Sequence, residues 1–598
     1  MQLPDLLVII AYVIGLFAIG AVYGGKVRTS SDLFAAGGRS PWWVSGLSGF
    51  MTMFSAGTFV VWGGIAFKHG LVAVSINMCY GVAALLVGWT VAGRWKQSGI
   101  TTPAEFVRIR FGPGAVHGYT WTMMVYRLVG TGVSLYALAV LLCALIPIPE
   151  GWFLRDAITG NLSLTWAVVF FGAIVVAYTV TGGLWAVLMT DVVQFIVLYL
   201  AVAFVVPLVL QDAGGVSGFL ERVPDGFLNL VNNEFTGIFL LGWTAIHFFM
   251  VGAEWAFVQR YLCVPTPRDA RKSAFLFGIL YLVSPLFWFL PPLVYRVIQP
   301  DANPEQAYIL AAISVLPAGM LGLMVAALFS ATASMVSSQL NVFAGVLTHD
   351  IIQPLRRGPS DERTLVRIGR MATLGLGVLV TSVALAVPVL GGAEKVILSI
   401  TSLIVGPLLL PLIWALFSRR ITARDLLLTV IICCGVGLWV RFGLSGRTGF
   451  NALPGIAELA AFARAQPRSM EVIVGVVLPA LILTVAEWRR RTVAPGAIRF
   501  RALVAAQSTA ALLPAISATT TSPLRVVGWS LGACALVMLL LALTATQDRG
   551  LLLVCSGILG ALTTSALLID RQVTRQAERQ RSLSSTTPSN SEQLLPGQ

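Results

Sequence analysis

Between residues 5 and 570 the chain is a succession of apolar runs parted by short polar loops. A hydrocarbon layer about 30 Å thick is crossed by about 20 residues of α-helix. Inside it, only helices and closed barrels can satisfy their own backbone. Continuous apolar runs, without the alternation of barrel strands, predict an all-α polytopic membrane protein with about 15 spans. They lie near residues 5–24, 42–67, 71–92, 118–147, 163–181, 184–211, 235–258, 274–297, 316–347, 371–390, 394–417, 424–441, 470–487, 526–545 and 550–570. The run 502–517 is short, and is read as a surface or re-entrant segment. Composition agrees: of 598 residues 57% are hydrophobic and only 11% charged, where soluble domains carry about 25%.

The net charge of +14 sits in the loops rather than on a basic aromatic face, so nucleic acid is not expected as a partner. An odd number of spans puts the two ends on opposite sides. With the N-terminus outside, the inward loops hold most of the 40 Lys and Arg, including "RRGPSDERTLVRIGR" at 356–370 and "RRR" at 489–491. The positive-inside rule then gives a cytoplasmic C-terminus in the cell (inner) membrane. The tail 571–598 is polar and Ser-rich and is expected to be disordered. "MQLPDLLVII" lacks a basic leader and reads as a retained first span. Seven cysteines without a CxxC spacing and four scattered histidines suggest neither disulfides nor a zinc site.

Three segments carry polar or small residues where lipid-facing helices use Leu and Val. In "TGGLWAVLMTDVVQFIVLYLAVAF" (181–204), Asp191 lies inside a span. Insertion scales put that at roughly 2.5 to 3.5 kcal/mol. In 322–350, Ser330, Ser334, Ser337, Ser338 and Asn341 recur at i, i+4, i+7, i+8 and i+11, one helical face. Hard cations favour such oxygens. In 42–64, glycines at 46, 49, 57, 63 and 64 allow two readings: a helix broken near "FSAGT", or close helix packing.

"GGLWAVLMTDVVQ" (182–194), "VQRYLCVPTPRDARKSA" (258–274), "SDLFAAGGRSPWWVSGLS" (31–48), "TTPAEFVRIRFG" (101–112) and "GLMVAALFSATASMVSSQLN" (322–341) together resemble the sodium:solute symporter family over about residues 5–440. The resemblance implies the leucine-transporter-like fold, with two inverted five-helix repeats at 42–211 and 235–417. Residues 1–41 would form a first helix and loop, and 418–570 accessory helices.

It also implies ion sites. The main sodium site would use carbonyls of Met51, Phe54 and Ala331 with side chains at 334 and 335. The family has Ser or Thr at 335, and this chain has Met335, a soft thioether that suits Na+ poorly. A second sodium site would combine Asp191 with Ser334, Ser337 and Ser338. Two other readings of Asp191 stay open: bonds to hydroxyls within the bundle, and carriage of H+.

By the same resemblance the solute would meet Thr58, Asn77, Glu254, Tyr281 and Ser399. The sugar branch carries an acid where Asn77 stands and a lysine where Tyr281 stands. Glu254 is read either as a ligand for hydroxyls or an amine, or as a residue near the cytoplasmic helix end reaching toward water or Arg260. Arg127, about 14 Å into its span, either snorkels or meets a carboxylate or an anionic solute. Trp42, Trp43, Trp62 and Trp89 are read as interfacial belt residues.

The expectation is a secondary active transporter importing a small polar, sugar-like solute with inward Na+ flux by alternating access. A proton-coupled or uncoupled carrier is the alternative. A sensor would need a large cytoplasmic domain. No nucleophile–base pair, metal-ligand cluster or phosphate loop suggests an enzyme.

Overall fold

The computed structural model describes residues 3–24, 38, 40–100, 102–179, 184–355, 362–440, 456–510, 523–544 and 549–585. Among these the chain is almost wholly helical, without a β-strand. Two isolated bridges, Pro147 with Asn161 and Arg155 with Leu162, fasten one loop. Gly182 and Gly183 of the 182–194 stretch fall outside the described residues.

Each apolar run becomes a helix because the backbone has no other partner at that depth. The first half holds α1 (Leu3–Gly24), α2 (Trp42–Met53), α3 (Thr58–His69, opening with a π-helical turn), α4 (Val72–Thr90), α5 (Pro103–Phe111), α6 (Pro113–Cys143), α7 (Leu164–Thr179) and α8 (Leu184–Asp212). Next come α9 (Gly237–Ala253), α10 (Trp255–Leu262), α11 (Pro267–Trp288), α12 (Leu290–Ile298), α13 (Met320–Val346), α14 (Glu362–Ala386) and α15 (Ala393–Phe417). The remainder is α16 (Ala423–Leu438), α17 (Pro467–Arg489), α18 (Pro495–Ala510), α19 (Pro523–Thr544) and α20 (Arg549–Ser585). Among the described residues nine helices are long and apolar enough to cross a membrane, or eleven if each of two bent pairs is one span. Shorter apolar stretches lie in α1, α7 and α19. The chain is a multi-pass membrane protein.

Two pairs of helices are bent at a break. α2 and α3 meet at 59°, α9 and α10 at 51°. Both readings of the glycine run are realised. The helix breaks at Phe54, whose backbone is extended, and Gly46 lies against α11, where a Cβ would come 3.0 Å from the Ser273 carbonyl. α4 and α11 likewise cross at Gly81 and Gly278: a Cβ on Gly81 would sit 2.8 Å from the Gly278 carbonyl. Small residues let helix backbones touch where no hydrophobic force drives them together.

The serine helix α13 is the axis of the bundle. Its most apolar window is 89% buried, against 22% for that of α20, so the stripe faces protein. α1 holds its start: Asp5 Oδ1 accepts from Gly319 N at 2.7 Å and Gly322 N at 2.9 Å. An acidic group at a helix N-terminus is favoured by the exposed amides and the dipole.

Two boundaries differ from the sequence reading. The segment 502–517 belongs, as far as Ala510, to α18, which starts at Pro495 and lies on α5 through Phe500 and Phe106, ring centroids 5.0 Å apart. Residues 511–517 lie outside the described residues. The tail is helical through Ser585 rather than disordered from 571, since "RQVTRQAERQRSL" is rich in helix-favouring Arg, Gln, Glu and Ala. Residues 586–598 lie outside the described residues.

Candidate functional site

Asp191, on α8, is 3% exposed. Its carboxylate is held from two sides: Ser334 Oγ of α13 donates to Oδ1 at 2.8 Å, and Ser48 Oγ of α2 donates to Oδ2 at 2.6 Å. Ser48 was not anticipated, because in a run of glycines and serines one hydroxyl looks like another small residue. Behind Ser48 stands Arg260 of α10, 1% exposed, whose Nε donates to Ser48 Oγ at 3.3 Å and whose Nη2 lies 3.5 Å from Ser338 Oγ. Arg260 also donates to the Ala256 carbonyl and to Gln259 Oε1, each at 3.2 Å. The carboxylate therefore has an opposite charge one hydroxyl away, which lowers the cost of its burial.

Of the anticipated second-site residues, Ser334 touches Asp191, Ser338 faces Arg260, and Ser337 is buried on the same helix face. One turn away, Gln194 Nε2 donates to Ser330 Oγ at 2.6 Å, while Gln194 Oε1 has no partner among the described residues. Among the described residues no three His, Cys, Asp or Glu gather as a metal cluster. The oxygens collected here are hydroxyl and carboxylate, which hard cations favour.

The main-site residues Met51, Phe54 and Ala331 are all buried, at the break between α2 and α3 and the facing turn of α13. Phe54 N donates back to the Met51 carbonyl at 3.0 Å, and a carbonyl keeps a second lone pair. Thr332 fastens the break: its Oγ1 accepts from Ala56 N at 2.8 Å and donates to the Leu328 carbonyl at 2.9 Å. It lies off the serine stripe, so the 3.6-residue count passed it over. Ser334 is engaged with Asp191, and Met335 lines a neighbouring cavity.

That cavity, of about 100 Å³, is bounded by Thr58, Trp62, Tyr80, Tyr126, Arg127 and His247 among others. Its charge comes from Arg127, whose Nη2 lies 2.8 Å from Glu254 Oε2, the two side chains 12% and 1% exposed. Glu254 occupies the break between α9 and α10, with extended backbone. The chain turns there, so Glu254 points into the bundle rather than toward the helix end, and its partner is Arg127 rather than Arg260. Arg127 does not snorkel. Its Nε has no hydrogen-bond partner among the described residues, nor does His247 Nε2, although His247 Nδ1 meets the Trp243 carbonyl at 2.8 Å.

The other anticipated solute contacts are placed differently. Thr58 lines the cavity. Asn77 turns onto its own helix, donating to the Ala73 carbonyl at 3.0 Å. Tyr281 stacks on Tyr80 at 5.3 Å within a cluster that includes Phe50 and Trp288. Ser399 donates to Glu471 of α17 at 3.3 Å. Trp62, expected at the interface, is 8% exposed and packs on Tyr80 and Trp243. Trp89, at 72%, is exposed as an interfacial residue would be.

Comparison with known proteins places this arrangement. The chain is 28% identical over 458 residues to a sodium/sialic acid symporter of Aliivibrio fischeri, covering 72% of this chain and 86% of that one. It is 26% identical over 484 residues to a sodium/glucose cotransporter of Vibrio parahaemolyticus, covering 73% and 85%. Among solved structures, the substrate-bound outward-open state of a Na+-coupled sialic acid symporter superposes with a TM-score of 0.63 at 20% identity, covering 80% of this chain and 98% of that one. These relatives are transporters rather than enzymes. The model of the sodium:solute symporter family matches residues 33–433, more than half the chain, and the chain belongs to that family.

Proposed function

We propose that the protein imports a small polar, sugar-like solute with Na+ running inward, by alternating access around the two broken helices. The observation that carries this reading is Asp191, held by hydroxyls from two further helices beside the break in α2 and α3. A Na+ arriving there would turn Ser334 from a donor to Asp191 into a ligand and draw the Ser338 oxygen away from Arg260, with Ser337 completing the set and Asp191 supplying the charge. That is the second sodium site; the main one would use the carbonyls of Met51, Phe54 and Ala331, weakened by Met335. Coupling follows because α2, α8 and α13 meet at one ion.

The solute would enter the cavity at Thr58 and Arg127. A buried guanidinium with an unfilled donor gains most from a hydroxyl or a carboxylate, which favours an acidic sugar. The names of the sialic acid and glucose relatives support a sugar-like cargo. Asn77, Tyr281 and Ser399 would contribute only in another conformation. The Lys and Arg bias of the loops supports an outside N-terminus and a cytoplasmic C-terminus. The repeats would span 42–211 and 235–417.

The test is uptake by the purified protein in liposomes under imposed Na+ and H+ gradients. Sialic acid, glucose and an amino acid would serve as cargoes. Uptake driven by Na+ and lost in Asp191→Asn supports the reading. Uptake that follows the proton gradient alone, and loses that dependence in Asp191→Asn, makes Asp191 a proton carrier.

A further inference from the structure

Away from both sites, α18 roofs a cavity of about 480 Å³ over α5 and the end of α15. Four arginines line it: Arg94, Arg110, Arg271 and Arg501. No acid lines it among the described residues, and the rest of the wall includes Leu416, Phe500 and Val504. We propose that this cavity binds a phosphate-class anion, carried by a phospholipid headgroup or as free phosphate.

Arg110 is the anchor. It is 2% exposed, with Nη2 donating to the Ser418 carbonyl at 3.2 Å and Nε to that of Ala415 at 3.5 Å. Its Nη1 is buried without a hydrogen-bond partner among the described residues. A buried guanidinium with a free donor is costly unless an anion completes it. Glu487 is the acid nearest in effect, but it makes no hydrogen bond or ion pair with Arg110 among the described residues: its Oε2 accepts from the Ser418 hydroxyl and from the Trp414 indole at 3.4 Å. Burial pushes Arg110 down to about 10 against the pull of Glu487, and the like charge of Arg501 adds to the push.

The other three arginines are exposed and have no ion-pair partner among the described residues. Arg94 rests on the Phe417 ring, 4.0 Å from its centroid, which fixes its place at the rim. The roof is held as closely as the floor: Gly496 meets the Arg110 backbone so tightly that a Cβ would overlap the Arg110 carbonyl. A second hollow sharing Gln97 and Arg271 continues the surface to Arg268 and Lys272, with one acid, Asp269, that accepts from the Thr266 hydroxyl at 2.7 Å. Planar guanidinium forks suit phosphate oxygens, and the apolar wall suits the first carbons of an acyl chain.

The experiment uses the full chain purified in detergent. Native mass spectrometry measures retention of added phosphatidylglycerol against phosphatidylcholine, and thermal unfolding measures stabilisation by inorganic phosphate. Both are repeated on R94A/R271A/R501A, on R110Q, and on the charge-matched R155A/R222A/R296A outside the cavity. Selective phosphatidylglycerol retention that falls about fivefold per exposed arginine removed, and survives in the charge-matched variant, assigns a headgroup site. Phosphate stabilisation lost in the cavity variant, without lipid selectivity, assigns free phosphate. Neither response in the wild type, or either surviving in R94A/R271A/R501A, overturns the proposal. Should the triple variant not fold, R501Q alone must still weaken binding about fivefold.

Discussion

Asp191 and Glu254 are both carboxylates withdrawn from water, at 3% and 0% exposure, and they are compensated in opposite ways. Glu254 meets Arg127 directly at 2.8 Å. Asp191 meets only hydroxyls, with Arg260 one serine away. A direct ion pair is a closed arrangement, because removing one partner strands the other. Hydroxyls are reversible partners, since the same oxygen donates to a carboxylate or accepts a cation. The first arrangement suits a cavity wall, and the second an ion that must come and go.

The contrast can be broken most forcefully at Glu254. Glu254→Ala should cost about 3–5 kcal/mol, the penalty for stranding a buried charge, read as an early thermal unfolding transition. Glu254→Gln combined with Arg127→Met should recover most of it. An Ala variant as stable as the wild type means that water in the cavity already solvates Arg127. Asp191→Asn should be milder for the fold and severe for coupling. The Na+ concentration for half-maximal uptake should rise about 10- to 100-fold, while an unchanged value removes Asp191 from the ion path.

Single hydroxyls sharpen the comparison. Ser334→Ala and Ser48→Ala should each cost about 0.5–1.5 kcal/mol in unfolding assays. Ser334→Ala should weaken Na+ dependence more, since Ser48 also carries Arg260. Asp156, in the loop before α7 and outside the bundle, is a partly exposed control. The Thr159 amide and hydroxyl and the Ile158 amide donate to it and hold its carboxyl below the usual range. A lowered folded value means that the contribution is fully present above the ordinary aspartate value, about 3.9, and is lost as pH falls through the folded one. The protection of the Thr159 amide, its exchange relative to the intrinsic rate at each pH, should therefore fall only in strong acid, and protection already lost near neutrality would sink that assignment.

Much of this was legible in the chain. Apolar length fixed the helices, because lipid leaves the backbone no alternative. The serine stripe and Asp191 could be read because helical period and intramembrane charge are local properties. Ser48, Thr332 and the Glu254–Arg127 pair could not, since each depends on which helix lies opposite and on where a broken helix turns. Counting 1.5 Å per residue places Glu254 near an end only if the helix continues, and it stops there. The fate of Asn77, Tyr281 and Ser399 is likewise a matter of rotamer and neighbour, which positional likeness does not carry.

α15 and α17 touch backbone to backbone: a Cβ on Gly406 would overlap the Gly475 carbonyl, and one on Gly475 the carbonyl of Ser402. Two rods joined without intervening side chains have no lubricating layer and slide only by separating. If α15 tilts during the transport cycle, α17 travels with it. A probe on the outer surface of α17, at exposed Leu481 or Val485, then becomes a remote pointer to motion deep in the bundle, read without disturbing a residue that faces ion or cargo.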